Sequence, residues 1–271
     1  MYKAIFIDID GTLRNSNKQI TQRTINAIKS VMEKGILVIL CSGRPKKYTE
    51  TVSREVGASS YVITSNGGVV YNYNKNEIIH KVTVEGQACN ELYNIAQKFN
   101  CIFTMDIDGL QVTNCKEECY TERILLDTDI EIFTKENDVL LCTMKDQDFN
   151  KMKKVRKEIE KINGIEIKQE IKSFGEHNVS DKESIYYFIG NKETCKGNAI
   201  KYFCATLNID LKDTIAIGDD FNDISMFEVV GYSVAMRNAS KEVKKYANEI
   251  TLSNDEEGVA VFLEKLKNIQ H

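Results

Sequence analysis

Ala4-Ile5-Phe6-Ile7-Asp8-Ile9-Asp10-Gly11-Thr12-Leu13 is the stretch whose reading decides the fold. Ala4–Ile9 is an almost continuous apolar run, the pattern of a strand buried on both faces. Working outward, Thr21–Lys34 carries Ile25, Ile28 and Met32 on one helical stripe, with Gly35 placed as its stop. Ile36–Cys41 reads as a second buried strand. Pro45 sits where a first helical turn tolerates it, ahead of Tyr48, Val52 and Val56. Tyr61–Thr64 makes a third strand, and Asn66-Gly67-Gly68 a tight turn. This β-α-β-α-β order predicts an α/β fold with a parallel sheet and right-handed crossovers. The C-terminal third returns to the same grammar. Gly197–Leu207 is a helix, Thr214–Ile217, Tyr232–Ala235 and Glu249–Thr251 are strands, and Gly258–Leu266 is a closing helix.

The middle of the chain differs. Helix Gly86–Phe99 leads to two apolar runs, Cys101–Met105 and Leu110–Thr113, joined through Asp108-Gly109. Asp-Gly between such runs is a strong hairpin signal, hence antiparallel pairing. Phe149, Met152, Val155, Ile159 and Ile162 form another helical stripe, and the intervening Lys151, Lys153, Lys154, Arg156 and Lys157 read as its wet face. Residues 84–190 hold 21 acidic against 14 basic side chains, a charge of −7, which leaves +3 for the flanking parts. The expected division is therefore a core of residues 1–83 and 191–271, with an α+β module of 84–190 inserted into it.

Composition excludes several classes. With 36 basic and 40 acidic residues the net charge is −4, which gives no whole-chain footprint for nucleic acid. No run of about 18 apolar residues exists to span a membrane. Asp8 interrupts the N-terminal apolar run too early for a signal peptide, so a cytoplasmic protein is expected. The eight cysteines include no CxxC pair, and Cys41, Cys142 and Cys204 lie in apolar runs, so thiols are expected rather than a disulfide framework. Neither GxGxxG nor GxxxxGK[ST] occurs, which argues against dinucleotide binding and P-loop hydrolysis.

In open α/β sheets ligands sit beyond the carboxyl ends of the strands, and four polar clusters fall there. Asp8 and Asp10 follow the first strand, two apart, so an extended chain presents both carboxylates to one cavity. Two such charges about 4 Å apart repel by roughly 4 kcal/mol at an effective dielectric near 20, which calls for a proton or a cation. Ser42-Gly43-Arg44 offers a hydroxyl, a glycine and helix-opening N–H groups to an anion. Lys196-Gly197 puts a cation at the positive end of a helix, where it is mildly unfavourable unless an anion joins it. Gly218-Asp219-Asp220-Phe221-Asn222-Asp223 gathers carboxylates and an amide into a hard-oxygen set suited to Mg²⁺ rather than zinc. Asp106-Ile107-Asp108-Gly109 repeats the first motif's letters, but within the hairpin, where it needs only to turn the chain. The histidines, His80, His177 and His271, are scattered and read as surface or packing residues. A metal, a nucleophile and clamps on equatorial oxygens are the requirements of phosphoryl transfer.

These four clusters, in this order, resemble motifs I to IV of the haloacid dehalogenase (HAD) superfamily, specifically its Cof-type phosphatases with a class IIB cap. Asn66-Gly67-Gly68, Val234-Ala235-Met236 with Asn238-Ala239, and Glu257-Gly258-Val259-Ala260 match that subfamily's pattern as well. The resemblance implies a Rossmann-like core with a cap inserted between the second and third motifs, covering the site. It implies Asp8 as nucleophile and Asp10 as general acid and base. Mg²⁺ would be held by Asp8, the Asp10 main-chain oxygen and Asp219, with Asp223 in support. Ser42 and Lys196 would hold the phosphoryl oxygens, assisted by Gly43 and Asn222. The expected activity is Mg²⁺-dependent hydrolysis of small phosphorylated metabolites, sugar phosphates first, by a monomer or homodimer with no nucleic-acid or membrane partner. A phosphosugar mutase of the phosphomannomutase type, and a catalytically silent binding protein, are the alternatives. Three positions depart from the pattern. Ser42 replaces threonine, Arg237 stands where glycine is usual, and Arg14 stands where a neutral residue is usual, either to reach a second anionic group of the substrate or simply to lie on the surface.

Overall fold

Alternation along β1 (Ala4–Ile7) sets the layers. Ile5 and Ile7 enter one core cluster and Ala4 and Phe6 another, as a period of two on a doubly covered sheet requires. The computed structural model describes residues 2–116, 123–173 and 183–269; His177 and His271 lie outside these. After β1 come α1 (Gln22–Met32), β2 (Leu37–Cys41), α2 (Lys46–Val56), β3 (Tyr61–Thr64), β4 (Val69–Asn72) and β5 (Glu77–Lys81). Next are α3 (Gly86–Phe99), β6 (Ile102–Ile107), β7 (Leu110–Thr113), β8 (Arg123–Leu125) and α4 (Ile130–Glu136). These lead to β9 (Leu141–Asp146), α5 (Phe149–Ile159), β10 (Ile165–Ser173) and β11 (Ser184–Asn191). The last part holds α6 (Lys196–Thr206), β12 (Thr214–Gly218), α7 (Ile224–Phe227), β13 (Tyr232–Ala235), α8 (Lys241–Lys244), β14 (Glu249–Ile250) and α9 (Gly258–Ile269). Two compact units result, one of residues 1–81 with 194–271 and one of residues 82–193.

The first unit is built on an eight-stranded sheet in the order β14-β13-β12-β1-β2-β3-β4-β5. Pairing is parallel from β14 to β3 and antiparallel for β4 and β5. The sequence rules for a parallel sheet miss those last two strands. Ser65 and Asn66 both take positive φ directly after β3, so the chain reverses with no length left for a crossover. On one face Ile28, Val52 and Leu263 of α1, α2 and α9 pack on Ile5, Ile7, Val38 and Leu40. On the other, Ile200 and Phe203 of α6 pack on Phe6, Ile39 and Ala216, with the Phe203 ring edge-on to Phe6 at 5.6 Å. The order brings β1, β2 and β12 side by side, so their carboxyl ends meet at one point.

The second unit has a six-stranded sheet in the order β10-β11-β9-β6-β7-β8, with α3 and α5 supplying its core through Leu92, Met152 and Val155. Asp108 and Gly109 turn the β6–β7 hairpin with φ of +63° and +98°, the left-handed pair that such a two-residue turn needs. The Gly109 N–H donates to Asp106 Oδ1 at 3.1 Å, so Asp106 is a turn residue. Between the buried residues of α5, Lys151 pairs with Asp146 and Arg156 with Glu170.

Candidate active site

Every candidate site residue lies in the first unit, on the loops that leave β1, β2 and β12 and at the start of α6. Asp8 follows β1, is 6% exposed, and accepts a hydrogen bond from Lys196 Nζ at 2.5 Å. Lys196 opens α6 and is wholly buried. Its Nζ folds back to Asp223 Oδ1 at 2.6 Å as well, so two carboxylates offset its place at the helix's positive end. Asp223 is also wholly buried, and its Oδ2 accepts the backbone N–H groups of Asp219 and Asp220 at 2.9 and 3.0 Å. Asp219 holds Thr12 Oγ1 on its Oδ1 at 2.6 Å. Gly11 sits directly against that carboxylate: an added Cβ would lie 2.3 Å from Asp219 Oδ2, and its φ of +86° already favours glycine.

One ligand oxygen from each of Asp8, Asp219 and Asp223 lies within 4.8 Å of the others, against a single ammonium. Burial pushes Asp8 up to about 8, opposed by Lys196 and reinforced by Asp223 and Asp219. Burial likewise pushes Asp219 up to about 6, with the Thr12 hydrogen bond opposing. Burial disfavours the Lys196 cation, yet the Asp223 and Asp8 carboxylates outweigh it and hold the ammonium protonated. The cluster is therefore one where carboxylate charge exceeds its built-in compensation, and its donors are all hard oxygens. Both properties fit a divalent cation such as Mg²⁺.

Asp10 is not one of the three carboxylates that lie within 4.8 Å of one another; its Oδ2 receives Arg44 Nε at 2.9 Å. Ser42 is buried after β2, and its Oγ accepts the Arg44 N–H at 3.1 Å. Asn222 donates through Nδ2 to Asn66 Oδ1 at 2.8 Å, and Gly43 packs against the same Asn66 amide. Arg14 does not face open space. Its Nη1 donates to Tyr48 Oη at 2.7 Å, its Nη2 lies 4.0 Å from Glu55, and both Arg14 and Arg44 lie over the Tyr48 ring. Arg237 takes no positive φ, so the loop after β13 does not require glycine there; its guanidinium pairs with Glu256 at 3.0 Å. His80 stacks on Tyr202 at 3.7 Å, in β5 and away from this site.

Thr12, Asn66 and Asn238, which are not among the site residues expected from the sequence, all bind site residues or their loops. The available signal was position, since each follows the carboxyl end of a strand.

The sequence profile of the haloacid dehalogenase-like hydrolases matches residues 5–263. The chain belongs to this family. The phosphatase YwpJ of Bacillus subtilis is 27% identical over 97% of this chain and 99% of its own. A phosphoglycolate phosphatase of Archaeoglobus fulgidus is 29% identical over 97% of this chain and 96% of its own. Among solved structures, a haloacid dehalogenase-like hydrolase from Bacteroides thetaiotaomicron superposes with a TM-score of 0.79 at 26% identity, covering 98% of this chain and all of its own. This HAD hydrolase is thus a member of a family of phosphatases that act on phosphorylated substrates. Among its described residues no helix is long and apolar enough to cross a membrane.

Proposed function

We propose that the chain is a Mg²⁺-dependent phosphatase of small phosphorylated metabolites, sugar phosphates foremost, working through an aspartyl-phosphate on Asp8. The observation that carries this is a buried Asp8 carboxylate, held by Lys196 and adjoining the Asp219 and Asp223 carboxylates. Lys196 fixes the carboxylate in place and favours its ionised, nucleophilic form. An Asp8 oxygen attacks phosphorus, the ester P–O bond breaks, and the departing alkoxide takes a proton from Asp10. Asp10 then takes a proton from the water that attacks the aspartyl-phosphate, releasing inorganic phosphate and restoring Asp8. Ser42, Gly43, Lys196 and Asn222 hold the phosphoryl oxygens during both transfers. Asp8 and Asp219, with the Asp10 main-chain oxygen, would hold Mg²⁺; Asp223 supports them, its oxygens already engaged by Lys196 and two N–H groups. When bound, the ion neutralises charge so that an anionic oxygen can approach a dianionic ester.

The named relative that hydrolyses phosphoglycolate supports a small phosphorylated substrate. Turnover of p-nitrophenyl phosphate in Mg²⁺, followed by a screen of phosphorylated metabolites ranked by kcat/KM, tests the reading. Asp8→Asn should abolish phosphate release. Turnover that survives that substitution refutes the nucleophile. Sugar isomer conversion without phosphate release refutes the hydrolase.

A further inference from the structure

We propose that Asn238 is a positioning residue for the metal site, fixing the orientation of the Asp219 carboxylate so that divalent-cation affinity depends on it. This inference rests on the metal-dependent reading above. Asn238 Nδ2 donates to Asp219 Oδ2 at 3.3 Å and to the Gly11 carbonyl at 2.8 Å. Its Oδ1 accepts the Asn254 N–H at 3.0 Å. An amide rotated by 180° would set its carbonyl oxygen against two acceptors, Asp219 Oδ2 and the Gly11 carbonyl, and its NH₂ against a donor. Only one orientation of the side chain satisfies all three neighbours.

The consequence falls on Asp219. Thr12 grips Oδ1 and Asn238 grips Oδ2, so rotating the carboxylate breaks a hydrogen bond at each oxygen. Each oxygen retains a lone pair for a cation, and Gly11 walls the carboxylate at van der Waals contact. Asn238 also joins three loops that follow different strands: the Gly11 loop after β1, the Asp219 loop after β12 and its own after β13. Asn254, in the segment before α9, donates through Nδ2 to the Arg14 carbonyl at 3.0 Å and continues the seam without touching Asp219. The loop holding Asn238 is anchored from outside the site, by Arg237 on Glu256 and by Lys244 Nζ on the Arg237 carbonyl. A ligand carboxylate held in this way meets the ion already oriented, and loss of such an orienting partner costs about 10–100-fold in metal affinity.

The test is Mn²⁺ binding to the full chain without substrate, by electron paramagnetic resonance, together with Mg²⁺ titration by calorimetry. Asn238→Ala should raise the dissociation constant about 10–100-fold. Asn254→Ala, which loosens the same seam but keeps both Asp219 donors, should change it less than about 3-fold, as expected of a substitution that removes no contact to Asp219. Asn238→Ser, too short to bridge Asp219 and Gly11, carries the test should the alanine variant fail to fold, and should show the same weakening. Wild-type affinity in a folded Asn238 variant overturns the proposal. So does equal weakening in Asn254→Ala, since Asn238 would then act only through loop packing. A wild-type chain that binds no divalent ion overturns the metal-dependent reading and this inference together; one that binds the ion while the Asn238 variants bind it equally overturns this inference alone.

Discussion

Lys196→Met asks whether one ammonium holds the acidic cluster together. Methionine keeps an unbranched stem of similar volume but leaves Asp8 and Asp223 facing each other without a counter-charge, where Lys196 and Asp223 are 0% exposed. The contacts removed are 2.5 and 2.6 Å long. Each corresponds to about 6 kcal/mol of Coulomb attraction at an effective dielectric of 20, an upper bound because both partners are desolvated. Removing one partner of a buried pair costs about 3–5 kcal/mol, the expected loss of stability without metal. That is a fall on the order of 10 °C in the unfolding midpoint. The loss depends on pH. Protons can replace the ammonium as pH falls, and Asp8, freed of the lysine that lowers its value, holds its proton to higher pH than in the wild type, so the deficit is largest at the alkaline end and shrinks toward pH 5. Mg²⁺ should raise the midpoint more in the variant than in the wild type, because the ion meets one positive charge fewer. Urea and thermal unfolding of chelator-treated protein at pH 5, 7 and 9, with and without Mg²⁺, reads all three effects. A variant as stable as the wild type at pH 9 without metal refutes the reasoning, as does a smaller Mg²⁺ response.

Three further outcomes are expected. Asp8 and Asp219 have folded values raised to about 8 and about 6 from 3.8, so the folded state binds more protons than the unfolded chain. Their contribution to the stability of the metal-free wild type is therefore fully present below about pH 4 and lost as pH rises through 6 and 8. Melts in chelator across pH 5–9 should show this fall, and saturating Mg²⁺ should flatten it. In Gly197→Ala the new Cβ would lie 2.1 Å from the Ser225 carbonyl oxygen, so α6 must shift from α7 by more than about 1 Å to reach ordinary packing distance. Such overpacking costs about 1–3 kcal/mol, and with Lys196 next in the chain kcat/KM should fall about 100-fold; denaturation and steady-state kinetics that both match the wild type would contradict this. Asp106→Asn, in the hairpin that repeats the motif's letters, should leave kcat/KM within about 2-fold, an effect below half a kcal/mol; a large loss would place Asp106 in the reaction.

By itself the sequence determined the parallel strands and helices of the first unit, the β6–β7 hairpin with α3 and α5 in the second, and the identity of the acidic and basic side chains available to the site. Those signals are local. Apolar period, glycine stops and the Asp-Gly turn act within a few residues, so β1, α3 and the β6–β7 hairpin are legible without neighbours. The ordered motifs likewise place Asp8, Ser42, Lys196 and Asp219 at strand and helix ends. Only the tertiary structure decided which of these side chains meet. Asp8 and Asp223 are 215 residues apart, and their shared ammonium depends on β12 pairing with β1 and on α6 packing against α7. Asp10 pairs with Arg44, 34 residues on, because β2 lies beside β1 and brings the loops that follow them together. Arg14 found Tyr48, and Asn238 found Gly11 and Asp219, through loops whose course follows from hydrogen bonds with distant segments. Residue types fix which chemistry is possible, while rotamers and partners are fixed by long-range packing, which no short window of sequence contains.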